Sequence, residues 1–459
     1  MALVETAGVP NGGVSFWYTQ VGRPEPGPAL PGDVECDVCI VGGGLTGLWT
    51  AYYLAKADPT LRIVILEAEF VGFGASGRNG GWLSAEMPGN RARYAKGPYG
   101  EAGVGRLAAA LRTTVDEVVT ICGTEGIEAD IVRNGVLFVA RTPAQLARLR
   151  EHPPAAPARV LTGPEVAERI DVAGALGGYL DPDCARVQPA RLVQGLAGVV
   201  RGLGVTVHEQ TRVLTIEPGR AVTAHGTVRA PYVLRCLEGF TAGLAGQRRA
   251  LLPMNSAMVV TEPLTDDQWD RIGWQGSELL GDLAHAYCYA QRTADGRIAL
   301  GGRGIPYRFG SRTDVDGRTQ AWTIESLRAT VAGLFPSIAG LPLAQAWCGV
   351  LGVPRDWCAS VGLDRDTGLG WGGGYVGNGL SATNLAGRTL RDLVLDRDTE
   401  LRRLAWTDRR VRRWEPEPLR WLGVRAMYVA YRTADRRESA RRSARTSRIA
   451  RLADIVSGR

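Results

Sequence analysis

Residues 35–41 (ECDVCIV) run directly into Gly42-Gly43-Gly44-Leu45-Thr46-Gly47, and residues 61–66 (LRIVIL) end at Glu67. The first stretch has the apolar, β-branched character of a buried strand. Beyond it Leu48, Ala51, Tyr52 and Ala55 recur at helical spacing over 45–57, and 61–66 reads as a second buried strand. Strand, helix and strand in this order predict one βαβ unit of a doubly wound sheet. A GxGxxG run between strand and helix fits a dinucleotide. Gly42 makes the tight turn, Gly44 lets a pyrophosphate reach the backbone, and Gly47 lets helix and strand lie close. Leu45 and Thr46 open the helix, whose N-terminus favours phosphate charge. Glu67 ends the second strand, placed to accept from ribose hydroxyls and to repel a 2′-phosphate, which disfavours NADP. A merely structural Gly-rich turn would not need that acid.

A second literal match, Gly372-Gly373-Gly374-Tyr375-Val376-Gly377, is followed by one helix and an Arg-rich tail, with no further strand and acid. It reads as a Gly-rich neck suited to a planar ligand. One dinucleotide site is therefore expected, and none for NAD(P)H.

Outward from this unit, residues 22–33 read as an extended lead-in and 104–122 as an amphipathic helix. Residues 130–140 read as a strand pair turning at Asn134-Gly135. Pro189 opens a helix through 200. Strands are expected at 205–208, 212–217, 221–223, 232–236, 254–262, 297–303 and 369–373, and a helix over 380–395.

The chain has 459 residues, 45% apolar and 22% charged, which excludes disorder as the main state. No run of about 18 apolar residues predicts a membrane span, and residues 1–32 show no export pattern, so a cytoplasmic protein is expected. The eight cysteines are scattered, which suits a reducing compartment. Cys36 and Cys39 should face opposite sides of a strand as unbridged core residues. The four histidines are not spaced as metal ligands, so no metal site is expected. The net charge of +7 comes from residues 401–459, with 17 Arg against 6 Asp or Glu. The remainder is net negative, which argues against a nucleic-acid-binding body.

The run Gly72-Phe73-Gly74-Ala75-Ser76-Gly77-Arg78-Asn79-Gly80-Gly81-Trp82 follows the second strand at once. With the Gly42 motif, with residues 183–189 (DCARVQP), 291–304 (QRTADGRIALGGRG) and 373–387 (GGYVGNGLSATNLAG), it resembles the FAD-dependent oxidoreductases of the D-amino-acid oxidase superfamily. The γ-glutamylputrescine oxidase-like and aminophosphonate oxidoreductase-like branch is the nearest in look. The resemblance spans about residues 14–425. It implies an α/β fold, a Rossmann-like FAD-binding domain interleaved with a mixed, largely antiparallel β-sheet substrate domain. By that pattern residues 1–32 are an N-terminal arm; 33–88, 161–247 and 346–395 build the FAD domain; 89–160 and 248–345 build the substrate domain; 396–459 form an Arg-rich helical tail. Carried over by position, Ala75, Ser76, Arg78, Asn79, Gly80, Gly81 and Trp82 line the flavin and pyrophosphate. Glu67, Ala68 and Val213 hold the adenosine, and Asn378, Gly379, Leu380, Ser381 and Thr383 present a helix N-terminus to the pyrimidine edge.

Three departures matter. In sarcosine-oxidase-like members a cysteine six residues before a proline bonds the flavin; Cys348 stands six before Pro354, so FAD is either joined to Cys348 or free beside a small buried cysteine. In glycine-oxidase-like members an arginine in this stretch clamps the substrate carboxylate, where this chain has Leu351. Sarcosine-oxidase-like members also place a lysine for oxygen activation on the strand here reading Ile298-Ala299-Leu300; only Lys56 and Lys96 exist. The resemblance implies hydride transfer from an amine to flavin N5, giving an imine that hydrolyses, with oxygen or another acceptor closing the cycle. His285, Tyr289 and Arg303 are the catalytic candidates. A flavin monooxygenase, a secondary-metabolite tailoring flavoenzyme and a non-catalytic flavoprotein are the rival readings. The tail segment 416–438 should pack on the FAD domain through Leu419, Leu422, Met427 and Tyr431, with 436–451 a solvated helix.

Overall fold

The computed structural model describes residues 4–302, 306–441 and 444–457. Strand Val38–Val41, helix Leu45–Ala57 and strand Ile63–Leu66 follow one another as the pattern requires. They sit in a six-stranded sheet in the order Thr206–His208, Ile63–Leu66, Val38–Val41, Tyr232–Arg235, Leu369–Gly373, Ser360–Asp364. The first five are parallel and the last is antiparallel. Both faces are covered, which is why these strands read as continuous apolar runs. Helices Leu45–Ala57, Gly100–Thr124, Pro189–Gly202 and Gly379–Val394 share one core with one face. A four-stranded sheet built from residues 213–229 and Val34–Glu35 covers the other.

A ten-stranded mixed sheet forms the second layer system. Its long central strands, Leu252–Thr261 and Leu343–Val353, pair antiparallel along their length. Side-chain alternation divides its two faces. Ala257, Val259, Ile298, Leu300, Ala346 and Cys348 pack with helix Ala321–Leu334. Met258, Val260, Ala299 and Trp347 point the other way, onto the Rossmann-like domain. The fold is thus the expected interleaved α/β architecture.

Several boundaries differ from expectation. Strands Arg159–Thr162 and Gly177–Asp181 belong to the ten-stranded sheet, so its first contribution runs past 160. Strand Leu343–Val353 belongs there too, so the boundary at 345/346 cuts a strand. The N-terminal arm is not merely extended. Strands Val4–Thr6 and Val9–Asn11 add an edge to the large sheet, and helix Phe16–Val21 packs beneath the Gly-rich loop. Trp17 Nε1 donates to Asn79 O at 2.8 Å and Ser15 Oγ to Gly77 O at 2.7 Å. No hairpin turns at Asn134-Gly135. Val132 bridges to Arg186, and Val136–Ala140 pairs instead with Gly177–Asp181 and Leu279–Asp282. Cys36 and Cys39 enter the same core, because the chain changes sheets between them, and both are unbridged.

The tail also differs. Helix Leu419–Arg441 packs on the ten-stranded sheet, with Val424 and Tyr428 against Leu252, Met254, Tyr307 and Val353. Its buried stripe is Arg420, Val424, Tyr428, Tyr431, Ala434 and Glu438, whereas Leu419 and Leu422 face solvent. The apolar stripe was misjudged because Arg420 and Glu438 are buried with partners rather than solvated. Residues 436–451 are not one helix: the chain leaves Leu419–Arg441 and starts again at Arg448–Ser457. Among the described residues no helix is long and apolar enough to cross a membrane.

Glu438 is the clasp of the tail. It accepts from Arg148 Nη1 at 2.9 Å, meets His285 Nε2 at 3.1 Å, and accepts from the Ser447 N–H at 2.8 Å. Burial alone would raise its carboxyl, but these three partners outweigh burial and hold it at about 2. Glu438→Gln is expected to lower unfolding stability at pH 7 by about 2–3 kcal/mol, since charge-assisted bonds are lost. Because the folded carboxyl lies below its ordinary 4.5, the difference from wild type should shrink as pH falls from about 4.5 toward 2. Urea titrations across that window check both statements.

Candidate functional site

The cradle begins where strand Val38–Val41 ends. Gly42 has φ +117°, and a Cβ there would lie 2.5 Å from Cys236 O. A Cβ on Gly47 would overlap the Gly42 carbonyl oxygen, and one on Gly44 would sit 2.9 Å from Ser76 Oγ. Each glycine therefore marks a real backbone approach. Gly44 is the N-cap of helix Leu45–Ala57 and offers no side-chain cap; Leu45 N–H donates to Ser76 Oγ at 2.8 Å. Helix Gly379–Val394 is likewise uncapped by Asn378. Two helix N-termini that lack a side-chain cap from their N-cap residues thus open on one space.

Glu67 is held by its neighbours. Its carboxylate accepts from Gly43 N–H at 2.8 Å and Glu69 N–H at 3.0 Å. Burial raises its pKa while those N–H groups oppose the rise. One cavity of about 1580 Å³ runs from this cradle to the ten-stranded sheet. Gly42, Gly44, Leu45, Thr46, Glu67, Ala68, Ala75, Ser76, Arg78, Asn79, Gly80, Trp82, Val213, Asn378, Gly379, Leu380 and Thr383 line it. Such a Gly-lined cradle, carboxylate and pair of helix N-termini fit FAD. Gly47, Gly81 and Ser381 do not line the cavity. Gly47 serves helix packing, Gly81 N–H donates to Asn79 Oδ1, and Ser381 Oγ donates to Ser84 O at 2.5 Å. Gly81 and Ser381 therefore act one layer behind the wall.

Arg78 is almost wholly buried. Its guanidinium donates to the carbonyls of Phe73, Asp314, Cys348 and Val315 at 2.7–3.4 Å. Burial pulls its pKa down, with Cys348, Tyr18, Asp314 and Asp316 opposing, and among the described residues no carboxylate forms an ion pair with it. It places a fixed positive charge in the cavity wall. Tyr289 also lines the cavity, its hydroxyl 3.3 Å from Ser256 Oγ and its ring 6.0 Å from that of Trp82.

The other two catalytic candidates do not join it. His285 faces the tail helix. Its backbone N–H donates to Asp435 Oδ1 at 2.9 Å and its ring meets Glu438, so it positions the tail instead of touching the cavity. His285, Asp435 and Glu438 could group three ligand atoms, but the two carboxylates are already engaged by N–H donors and Arg148. Arg303 lies outside the described residues. The covalent-flavin reading of Cys348 also needs correction. Strand alternation turns its thiol to the helix-covered face, where Sγ donates to Arg318 O at 3.3 Å. Burial, with Asp314 adding, pushes that thiol up to about 11, a poor nucleophile. Its neighbours Gly349, Val350 and Leu351 do line the cavity.

The sequence reading missed several wall residues: Glu86, Asp282, Tyr287, Trp357 and Glu238. Glu238 accepts from the N–H groups of Gly374, Gly352 and Tyr375 at 2.6–3.3 Å, and burial nonetheless raises it to about 7. Glu86 stands four residues beyond Trp82 as a single acid in a loop, and no sequence pattern marks it.

The family model described as FAD dependent oxidoreductase matches residues 37–393. Gamma-glutamylputrescine oxidoreductase of Escherichia coli is 29% identical over 393 residues, covering 83% of this chain and 88% of that protein. Glycine oxidase of Bacillus licheniformis is 24% identical, covering 78% and 93%. Among solved structures, glycine oxidase from Geobacillus kaustophilus superposes with a TM-score of 0.67 at 22% identity, covering 80% and 96%. L-proline dehydrogenase from P. horikoshii gives 0.67 at 17%, covering 81% and 96%.

The buried Cys348 thiol predicts a non-covalent cofactor. On acid precipitation of the coloured protein, the colour should pass into the supernatant; a coloured pellet would contradict the placement of that thiol.

Proposed function

Because the chain belongs to the FAD dependent oxidoreductase family, we propose that this enzyme of amine or amino-acid oxidase type oxidises the C–N bond of an amine held between the Gly-rich cradle and the ten-stranded sheet. The observation that carries the reading is the continuity of one cavity beyond the cradle. It reaches Tyr289, Tyr287, Trp82, Met254 and Leu351, a largely apolar and aromatic wall of the kind that binds a small organic substrate. When bound, FAD supplies the two-electron acceptor for the substrate carbon, and the imine so formed takes up water to give a carbonyl compound and ammonia or a smaller amine.

The protein's residues supply position and field. The cradle glycines and Glu67 hold the dinucleotide, and the uncapped start of helix Gly379–Val394 favours negative charge at its end of the cavity by up to about 2 kcal/mol. Arg78 adds a buried cation fixed by four carbonyls. Tyr289 and Ser256 form a hydroxyl pair that orients polar groups of the substrate, while the aromatic wall keeps bulk water away. Leu351 lines the cavity and, by the resemblance, stands where an arginine would clamp an α-carboxylate, so a simple α-amino acid lacks that hold. Oxygen or a separate carrier takes the electrons onward. Among the described residues Arg78 offers a buried positive charge for that step, while His285 is turned to the tail.

A panel of primary and secondary amines tests the reading. Without oxygen, at least one should bleach the visible absorbance of the purified protein, and NAD(P)H should not. Bleaching by NAD(P)H alone would favour the monooxygenase reading.

A further inference from the structure

Several charged side chains stand on the cavity wall besides Arg78 and Glu238. Glu67, Glu69 and Arg212 stand near the cradle, where Arg212 is 3.3 Å from Glu69. Near the sheet the wall passes through Trp82 and Phe138, whose rings lie 5.8 Å apart, and Phe138 stacks on Tyr179 at 4.9 Å. Glu86 belongs to this end. It follows strand Trp82–Ser84, and the Ser84 carbonyl is tied to Ser381 on the first turn of helix Gly379–Val394. Its carboxylate is half-buried on the cavity wall and, among the described residues, has no hydrogen-bond or ion-pair partner. Asp282 lines the same space but is spent on the Cys288 N–H at 3.0 Å. Arg91, at the rim, is exposed and paired with Glu101 at 3.2 Å.

A desolvated carboxylate without a partner is costly unless the cavity's occupant brings the complementary charge. Resting on the amine-oxidation reading, we infer that Glu86 is the substrate anchor. It receives the ammonium group of a cationic amine that carries no carboxylate beside the reacting carbon. The wall around it agrees with this assignment: Leu351 lines the same cavity and offers no charge to a carboxylate. The groups around Glu86 also fit. Burial, with Asp181 on strand Gly177–Asp181 adding, raises its carboxyl to about 7, while Tyr179 and Cys184 are both held protonated by burial. Among the described residues, Asp282 and Arg91 are further charged groups on the cavity wall. An ammonium ion beside Glu86 would relieve its proximity to Asp181. Cation binding should therefore strengthen as pH rises through about 7, because Glu86 must be ionised to attract it.

The test uses two probes of one shape and opposite charge, tert-butylammonium and pivalate. Neither has a hydrogen on the carbon beside the charged group, so neither is oxidised there. Calorimetric titration of the flavin-loaded protein at pH 8 should show tert-butylammonium binding at least about tenfold tighter than pivalate. At pH 6 that preference should shrink by about tenfold, as most of Glu86 becomes protonated. Glu86→Gln should lose both the preference and its pH dependence at unchanged flavin content, and Glu86→Asp should keep the preference. Equal binding of the two probes by the wild type, or an unchanged preference in Glu86→Gln, would overturn the assignment. Should Glu86→Gln not fold, the wild-type pH dependence and Glu86→Asp still decide. If the preference holds while no amine bleaches the flavin, the anchor stands and amine oxidation falls. If amines bleach it while Glu86→Gln binds as wild type, the reverse holds.

Discussion

Everything in this molecule depends on how closely helix Leu45–Ala57 lies on the end of strand Val38–Val41. Gly47 permits that contact, since any Cβ would strike the Gly42 carbonyl. The contact aims the helix N-terminus into the cavity, where its N-cap Gly44 puts no side chain in the way. A second close approach then aligns a second helix. A Cβ on Gly387 would meet the backbone of Trp49 and Thr50 at 2.7–2.8 Å, so helix Gly379–Val394 packs backbone to backbone on the first. Both N-termini thereby face one space. Partial positive charge is preorganised where a pyrophosphate and an electron-rich ring need it.

The ten-stranded sheet closes the other side, and the parity of its strands decides what enters the cavity. Met254, Ser256, Tyr289, Gly349 and Leu351 lie on the cavity face, while Cys348 lies on the helix face. A one-residue shift in that register would turn the Cys348 thiol toward the cavity face and Leu351 away from it. The N-terminal helix Phe16–Val21 stiffens this junction. Its Trp17 packs against Trp347 at 5.8 Å and bonds the backbone of Asn79, so sheet and Gly-rich loop move as one unit.

The local signals were legible in the sequence. The Gly42 motif, Glu67, the strand Leu369–Gly373 and the run from Ala75 to Trp82 all rest on short-range backbone requirements that a linear reading captures. Errors arose where tertiary contacts decide. His285 stands in the segment expected to roof the flavin, but Asp435 and Glu438, some 150 positions later, draw it to the tail. Cys348 was favoured by its spacing to Pro354, which says nothing about the face a side chain takes. The tail stripe was misplaced because burial of Arg420 and Glu438 follows from partners far away in sequence, Arg248 and Arg148 among them. Glu86 escaped notice because one acid in a loop carries no pattern; only the cavity shows that it stands without a partner.

The glycine contact builds a dinucleotide cradle continuous with the substrate space. Calorimetric titration of the flavin-free protein tests this. One FAD should bind per chain, with FMN binding at least about a hundredfold more weakly, because the adenosine-phosphate half meets Gly42–Gly47 and Glu67. FMN binding as tightly as FAD, or NADP displacing FAD, would contradict it.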